Sequence, residues 1–249
     1  MNQALAFVSK GLLGPVLSQD VSFGINGYYP YELFGQKLWI TTTHISLFII
    51  MLIIIVFAII ANRVIKKADP SKEPGKFVNL IELMVELIDK MTLSNMGEKH
   101  GGKFSNYIGT LFIFIFLSNI SGLLGLRPPT ADYGVTLGLG LMTFILIHYN
   151  GFKYQKIGHI TGLFKPIILS PINIIGEIAT PISLSLRLFG NILSGTVMLG
   201  LVYGLLPKIG LLFWPAGLHV YFDLFSGAIQ TYVFCMLTMV FVSQQFDEA

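Results

Sequence analysis

Charge is what this sequence has least of. Only 12% of its 249 residues are Asp, Glu, Lys or Arg, about half the share of a soluble domain. Their balance, a formal +3, does not suggest the basic patch that a nucleic-acid partner requires. Cysteine is nearly missing as well. Cys235 stands alone in an apolar run, so there is no disulfide framework and no indication of redox compartment. No phosphate-binding loop is written here, since neither Gly75-Lys76-Phe77 nor Gly102-Lys103-Phe104 continues as one. Nucleotide binding and a cofactor are therefore not expected. His44, His148 and His159 lack metal-ligand spacing. The opening "MNQALAFVSK" has no basic residue ahead of its short apolar stretch, unlike a cleaved leader.

Apolar length is abundant. Hydrophobic residues make up 53% of the chain, and the mean hydropathy is +0.72. A hydrocarbon core of ~30 Å takes about 20 helical residues. Segments 40–62, 105–125 and 133–150 meet that need, and 167–206 and 211–243 exceed it. The expected fold is an all-α membrane protein with five crossings. Basic residues orient it. The stretch 63–103 holds eight Lys and Arg, and the loop after the third span holds Lys153, Lys156 and Lys165. The other two loops have only Arg127 and Lys208. The N-terminus is expected outside and the C-terminus in the cytoplasm. The chain then divides into an outer segment 1–39, a first span with a cytoplasmic helix at 40–104, two spans at 105–150, a cytoplasmic loop at 151–166 and a long hairpin at 167–249.

The cytoplasmic stretch 76–96 predicts an amphipathic helix. Glu82, Glu86 and Asp89 fall on one side, and Leu80, Leu83, Met84, Leu87 and Met91 on the other. It is too polar to span and suits the membrane surface; docking a partner subunit is the second use. At 1.5 Å per residue, the last two segments reach ~60 and ~50 Å. Two strongly tilted helices paired as a hairpin fit those lengths, with Pro171 and Pro181 as candidate kinks in the first.

Of sixteen basic and thirteen acidic side chains, only Glu177, Arg187 and Asp223 fall inside the spans. Each costs ~2.5–3.5 kcal/mol there, which marks function or a tight partnership. Ser183, Arg187, Asn191 and Ser194 share one helix face, with Gly190 and Gly195 beside it. His219, Asp223, Gln230 and Phe234 share another, with Ser226 and Gly227 between, and the two stripes are expected to meet across the hairpin. Arg187 has two uses open to it: a buried salt bridge to Asp223 or Glu177, or an ion path or substrate site. A secondary transporter holding an anionic substrate on Arg187 is a rival reading, although no paired repeats are visible. An intramembrane enzyme using Ser194 and His219 is a weaker one, since no G-x-S-x-G elbow accompanies them.

"PISLSLRLFGNILSG" (181–195), taken with "FSGAIQTYVFCMLTMVFVSQ" (225–244), resembles subunit a of the rotary ATP synthase, and "GLRPPTADYGVTLGLGL" (125–141) resembles its bacterial form. The likeness covers about 105–249. It implies a non-catalytic membrane subunit that carries H⁺ or Na⁺ to and from carboxylates of a rotating c-ring. Arg187 would face that ring and separate two half-channels. Asn191 matches the asparagine one turn on, and Gln230 the glutamine of the last helix. Asp223 stands where many relatives have Glu or His in the outer half-channel, with His219 one turn before it. Glu177 matches a residue of the inner half-channel, and Ser183 a small polar position. Thr196 replaces a Glu found in some members, which leaves the outer path more dependent on Asp223. The implied partners are the c-ring, a peripheral-stalk subunit b and membrane lipid, and the implied location is a bacterial plasma membrane.

Overall fold

The computed structural model describes residues 27–33, 36–67, 75–164, 168, 170–205 and 214–246. The first elements were not foreseen. Two short antiparallel strands, β1 (Gly27–Leu33) and β2 (Gln36–Thr41), form a hairpin that pairs Leu33 with Gln36 and Tyr31 with Leu38. Their aromatic and β-branched residues suit an extended backbone. Thr41 ends the hairpin with its hydroxyl 2.7 Å from His44 Nδ1, in the first turn of α1 (Thr42–Lys67).

The helix α2 (Lys76–Ile120) is one element in name only. Gly97, at φ 73° and ψ 165°, interrupts it, in a region of backbone space that is essentially reserved for glycine. The two arms fold back on each other. Ser105 Oγ donates to Asp89 Oδ1, and a Cβ built on Gly109 would lie 3.4 Å from Ile88. The expected amphipathic helix is thus the first arm, and the second span is the other. The first arm packs on the second span by a separate strip. Val78, Ile81, Ile88, Met91 and Thr92 are buried, while Leu80, Leu83, Met84 and Leu87 remain exposed. A helix has room for more than two strips. The packed strip runs between the acidic one and the exposed leucines.

Two 3₁₀ turns (Ser121–Leu124 and Pro129–Ala131) lead to α3 (Tyr133–Tyr154), whose first turn is capped by Asp132 accepting from Gly134 N at 2.9 Å. A short helix α4 (Ile157–Leu163) lies in the expected loop 151–166. Then comes α5 (Ser170–Leu205), which continues through Pro181. Residues 206–213, including Lys208, lie outside the described residues. The last membrane segment has three parts: α6 (Trp214–His219), a π-helical turn (Val220–Ser226) and α7 (Gly227–Ser243).

Among the described residues five helices are long and apolar enough to cross a membrane, including Thr42–Lys67, Tyr133–Tyr154 and Gly217–Ser243. The chain is therefore an all-α membrane protein with five membrane helices, plus the small β-hairpin. Its apolar core joins Ile108, Leu111 and Ile115 of α2 with Leu184 and Leu188 of α5 and Phe234, Cys235 and Met239 of α7. Between these lie fully buried hydroxyls, such as Thr143 and Thr238 at 3.3 Å. Small hydrogen-bonding residues hold membrane helices together where apolar burial gives little preference over lipid.

Candidate ion-path site

The expected polar residues fall into two groups separated along α5. At one end of that helix lies Asp223, in the π-helical turn. Its Oδ2 is 2.8 Å from His219 Nδ1, one turn back. Gly122 gives the carboxylate room, for a Cβ there would lie 3.2 Å from Oδ2. Ser226 Oγ donates to Asn191 Oδ1 at 2.7 Å, and Gly195 lies against Phe222, its ideal Cβ 3.3 Å from that side chain. Those two contacts are where the predicted stripes meet. Gly190, by contrast, has nothing within 4 Å of an ideal Cβ.

Asp223 sits by the end of the second span, Phe234 packs in the core with Leu184 and Leu188 of α5, and Gln230 is buried on α7. Asp223 lies within the π-helical turn and Gln230 beyond it. An i→i+5 turn inserts a residue into the helix and rotates the residues beyond it, so an ideal-helix wheel misplaces one part relative to the other. The same region holds a polar knot that sorting by charge overlooked. Asn119, fully buried, accepts from Thr130 Oγ1 at 2.9 Å and donates to Gly227 O at 3.1 Å and Thr231 Oγ1 at 3.3 Å. Its signal in the sequence was an asparagine between Ser118 and Ser121, following the apolar run 111–117.

At the other end lies Glu177, half-buried, its Oε2 4.0 Å from His148 Nε2. It lines a cavity of about 500 Å³ with Asn173, Thr180, Phe241, Gln244 and Gln245. A smaller cavity of about 210 Å³ shares Gly176, Thr180 and Phe241 with the first and adds Ser183 and Arg187. Glu177 and Arg187 are ten residues apart, ~15 Å along a helix, and these adjoining cavities span the interval.

Arg187 itself is exposed on α5 and makes no ion pair with a described residue of its own chain. Of the two acids expected as its salt-bridge partners, Asp223 is held by His219 at 2.8 Å and Glu177 lies 4.0 Å from His148. Ser194 Oγ donates back to Asn191 O and Thr196 Oγ1 to Ile192 O, at 2.9 and 2.8 Å, and both residues are exposed.

Five membrane helices, and a deep arginine beside a cavity that leads to a carboxylate, define a polytopic membrane protein built to handle charge. The ATP synthase A chain family model matches residues 44–243, and the chain belongs to that family. It is 36% identical over 228 residues to the sodium-ion-specific ATP synthase subunit a of Propionigenium modestum, covering 84% of this chain and 75% of that one. Against ATP synthase subunit a of Staphylococcus saprophyticus the identity is 35%, over 88% of this chain and 96% of the relative. The chloroplastic ATP synthase subunit a of Oedogonium cardiacum is 30% identical, over 96% and 95%.

Proposed function

We propose that Arg187 is the electrostatic divider between two ion half-channels that serve carboxylates carried past it on a c-ring. Family membership makes the chain an ion-translocating membrane subunit of an ATP synthase, and it leaves the transporter and enzyme readings without support. The observation that carries the finer reading is Arg187: a permanent charge deep in a membrane helix, exposed, and without a described acid of its own chain. A guanidinium cannot neutralise itself by losing a proton, so it calls for an anion from elsewhere.

The chemistry rests on simple electrostatics. A cation within ~4–6 Å lowers a carboxylate pKa by 1–3 units, so a c-ring carboxylate arriving at Arg187 gives up its ion. The same charge repels ions that would leak straight between the half-channels. On this reading the Glu177 cavity is the cytoplasmic half-channel, and Asp223, His219 and Ser226 belong to the outer one. Asn191 and Gln230 line the path near the ring, Ser183 flanks Arg187, and Thr196 leaves the outer path to Asp223. Each charge crossing 100 mV yields ~2.3 kcal/mol, so several must be pooled for one phosphoanhydride bond, which a rotor achieves. The N-terminus outside, the C-terminus inside, a bacterial plasma membrane, a subunit b beside the exposed leucines of α2 and a strong tilt of the α5–α7 hairpin complete the proposal.

Arg187→Ala in the assembled complex tests it. ATP-driven pumping is expected to vanish while ions leak down their gradient through the membrane sector. Coupled synthesis in a complex that keeps its c-ring would refute the role.

A further inference from the structure

We infer that His148 is the proton acceptor and donor for Glu177, so that the ion using the Glu177 cavity moves as a proton. This rests on the half-channel reading above and adds to it a residue and an ion. His148 is on α3, a helix that supplies none of the residues expected in the path. Its Nδ1 lies 3.0 Å from Phe144 O. A carbonyl only accepts, so Nδ1 carries the hydrogen and, in the neutral ring, Nε2 is the basic nitrogen. That nitrogen is the one facing Glu177, 4.0 Å from Oε2. The gap is too long for a direct hydrogen bond and is closed by one bridging water or a small rotation.

The ring is held from several sides. Phe144 packs on it with centroids 4.0 Å apart, and His159 of α4 meets it edge-on at 5.2 Å. His159 is in turn pressed against Gly151, where even a Cβ would come within 2.6 Å of its ring. Among the described residues, Glu177 and His159 are the titratable groups shown against His148 from neighbouring helices, and α7 has no charged side chain. The step balances simply. The carboxylic acid of Glu177 breaks its O–H bond as the proton bonds to Nε2, leaving carboxylate and imidazolium; the imidazolium then passes the proton to water in the cavity. A neutral imidazole can take a proton at Nε2 and return it, which serves both directions of transfer. It has no such means of relaying Na⁺.

The test is passive H⁺ flux and ATP-driven pumping by the reconstituted complex carrying His148→Ala, His148→Phe or Glu177→Gln, each checked for retention of the c-ring. Both His148 variants are expected to lose roughly ten-fold in flux, as is Glu177→Gln. Free imidazole in the buffer is expected to restore His148→Ala, whose cavity admits it, and not His148→Phe. A purely packing role would not respond to imidazole. Wild-type flux in both His148 variants, failure of imidazole to rescue, or Na⁺ carried in place of H⁺ would each overturn the inference. If Glu177→Gln slows transport while the His148 variants do not, only the histidine is refuted. If Glu177→Gln leaves flux unchanged, the half-channel reading falls and the relay with it.

Discussion

The two ends of the candidate path solve the same problem differently. Around Asp223 several polar side chains hydrogen-bond to one another. Asp223 holds His219, Ser226 holds Asn191, and nearby Asn119 gathers Thr130, Thr231 and a backbone carbonyl. Around Glu177 they line a cavity of about 500 Å³, and the histidine stops 4.0 Å from the carboxylate. Buried polar groups without partners are costly, so at the first end removing a hydrogen-bonding side chain lowers stability, whether or not it also carries the path. The second leaves the carboxylate to exchange with whatever enters the cavity, and mutation there should alter rate alone. Arg187 lies on the open side of this divide, beside the smaller cavity.

That contrast breaks most easily at Asn119. Asn119→Ala leaves Thr130 and Thr231 short of a partner and opens a void between two membrane helices. A loss of about 3 kcal/mol is expected, seen as a lower thermal midpoint and poor recovery of the assembled complex. Normal stability would mean that the knot is ornamental. Next is Asp223→Asn, which keeps most of the hydrogen-bonding shape and removes the charge. Transport should slow by roughly 100-fold with assembly intact, and pumping at wild-type rates across pH would count against Asp223 as a relay. Glu177→Gln should slow transport by only about 10-fold and leave the thermal midpoint unmoved; a fall in stability would erase the distinction between the ends. Ser226→Ala should have the smallest effect, about 1 kcal/mol, read as a slight drop in midpoint with little change in rate.

Much of the fold was legible before any coordinates. Spans are written in runs of apolar residues, and the break between the amphipathic arm and the second span falls at Gly97, within the gap left between 76–96 and 105–125. The β-hairpin was not legible, because short strands beside a membrane helix carry little periodic signal. For the site, the three intramembrane charges stood out by their cost. Which of them face each other did not. The wheel for the last helix assumed 100° per residue throughout, and the π-helical turn at Val220–Ser226 breaks that assumption. Asn119 and His148 escape a reading of the sequence for different reasons: one carries no charge, and the other lies at the far end of a helix that contributes nothing else to the path.

By itself the sequence determined that this chain crosses a membrane five times and holds one permanent cation at depth, because hydrocarbon thickness and the expense of burying charge act on each segment separately. Only the tertiary structure decided that both acids lie near histidines rather than Arg187, one of them within hydrogen-bond distance and the other 4.0 Å away and lining a cavity. Partner choice depends on how helices rotate and pack against each other, and a single helical turn of a different pitch is enough to redirect a side chain.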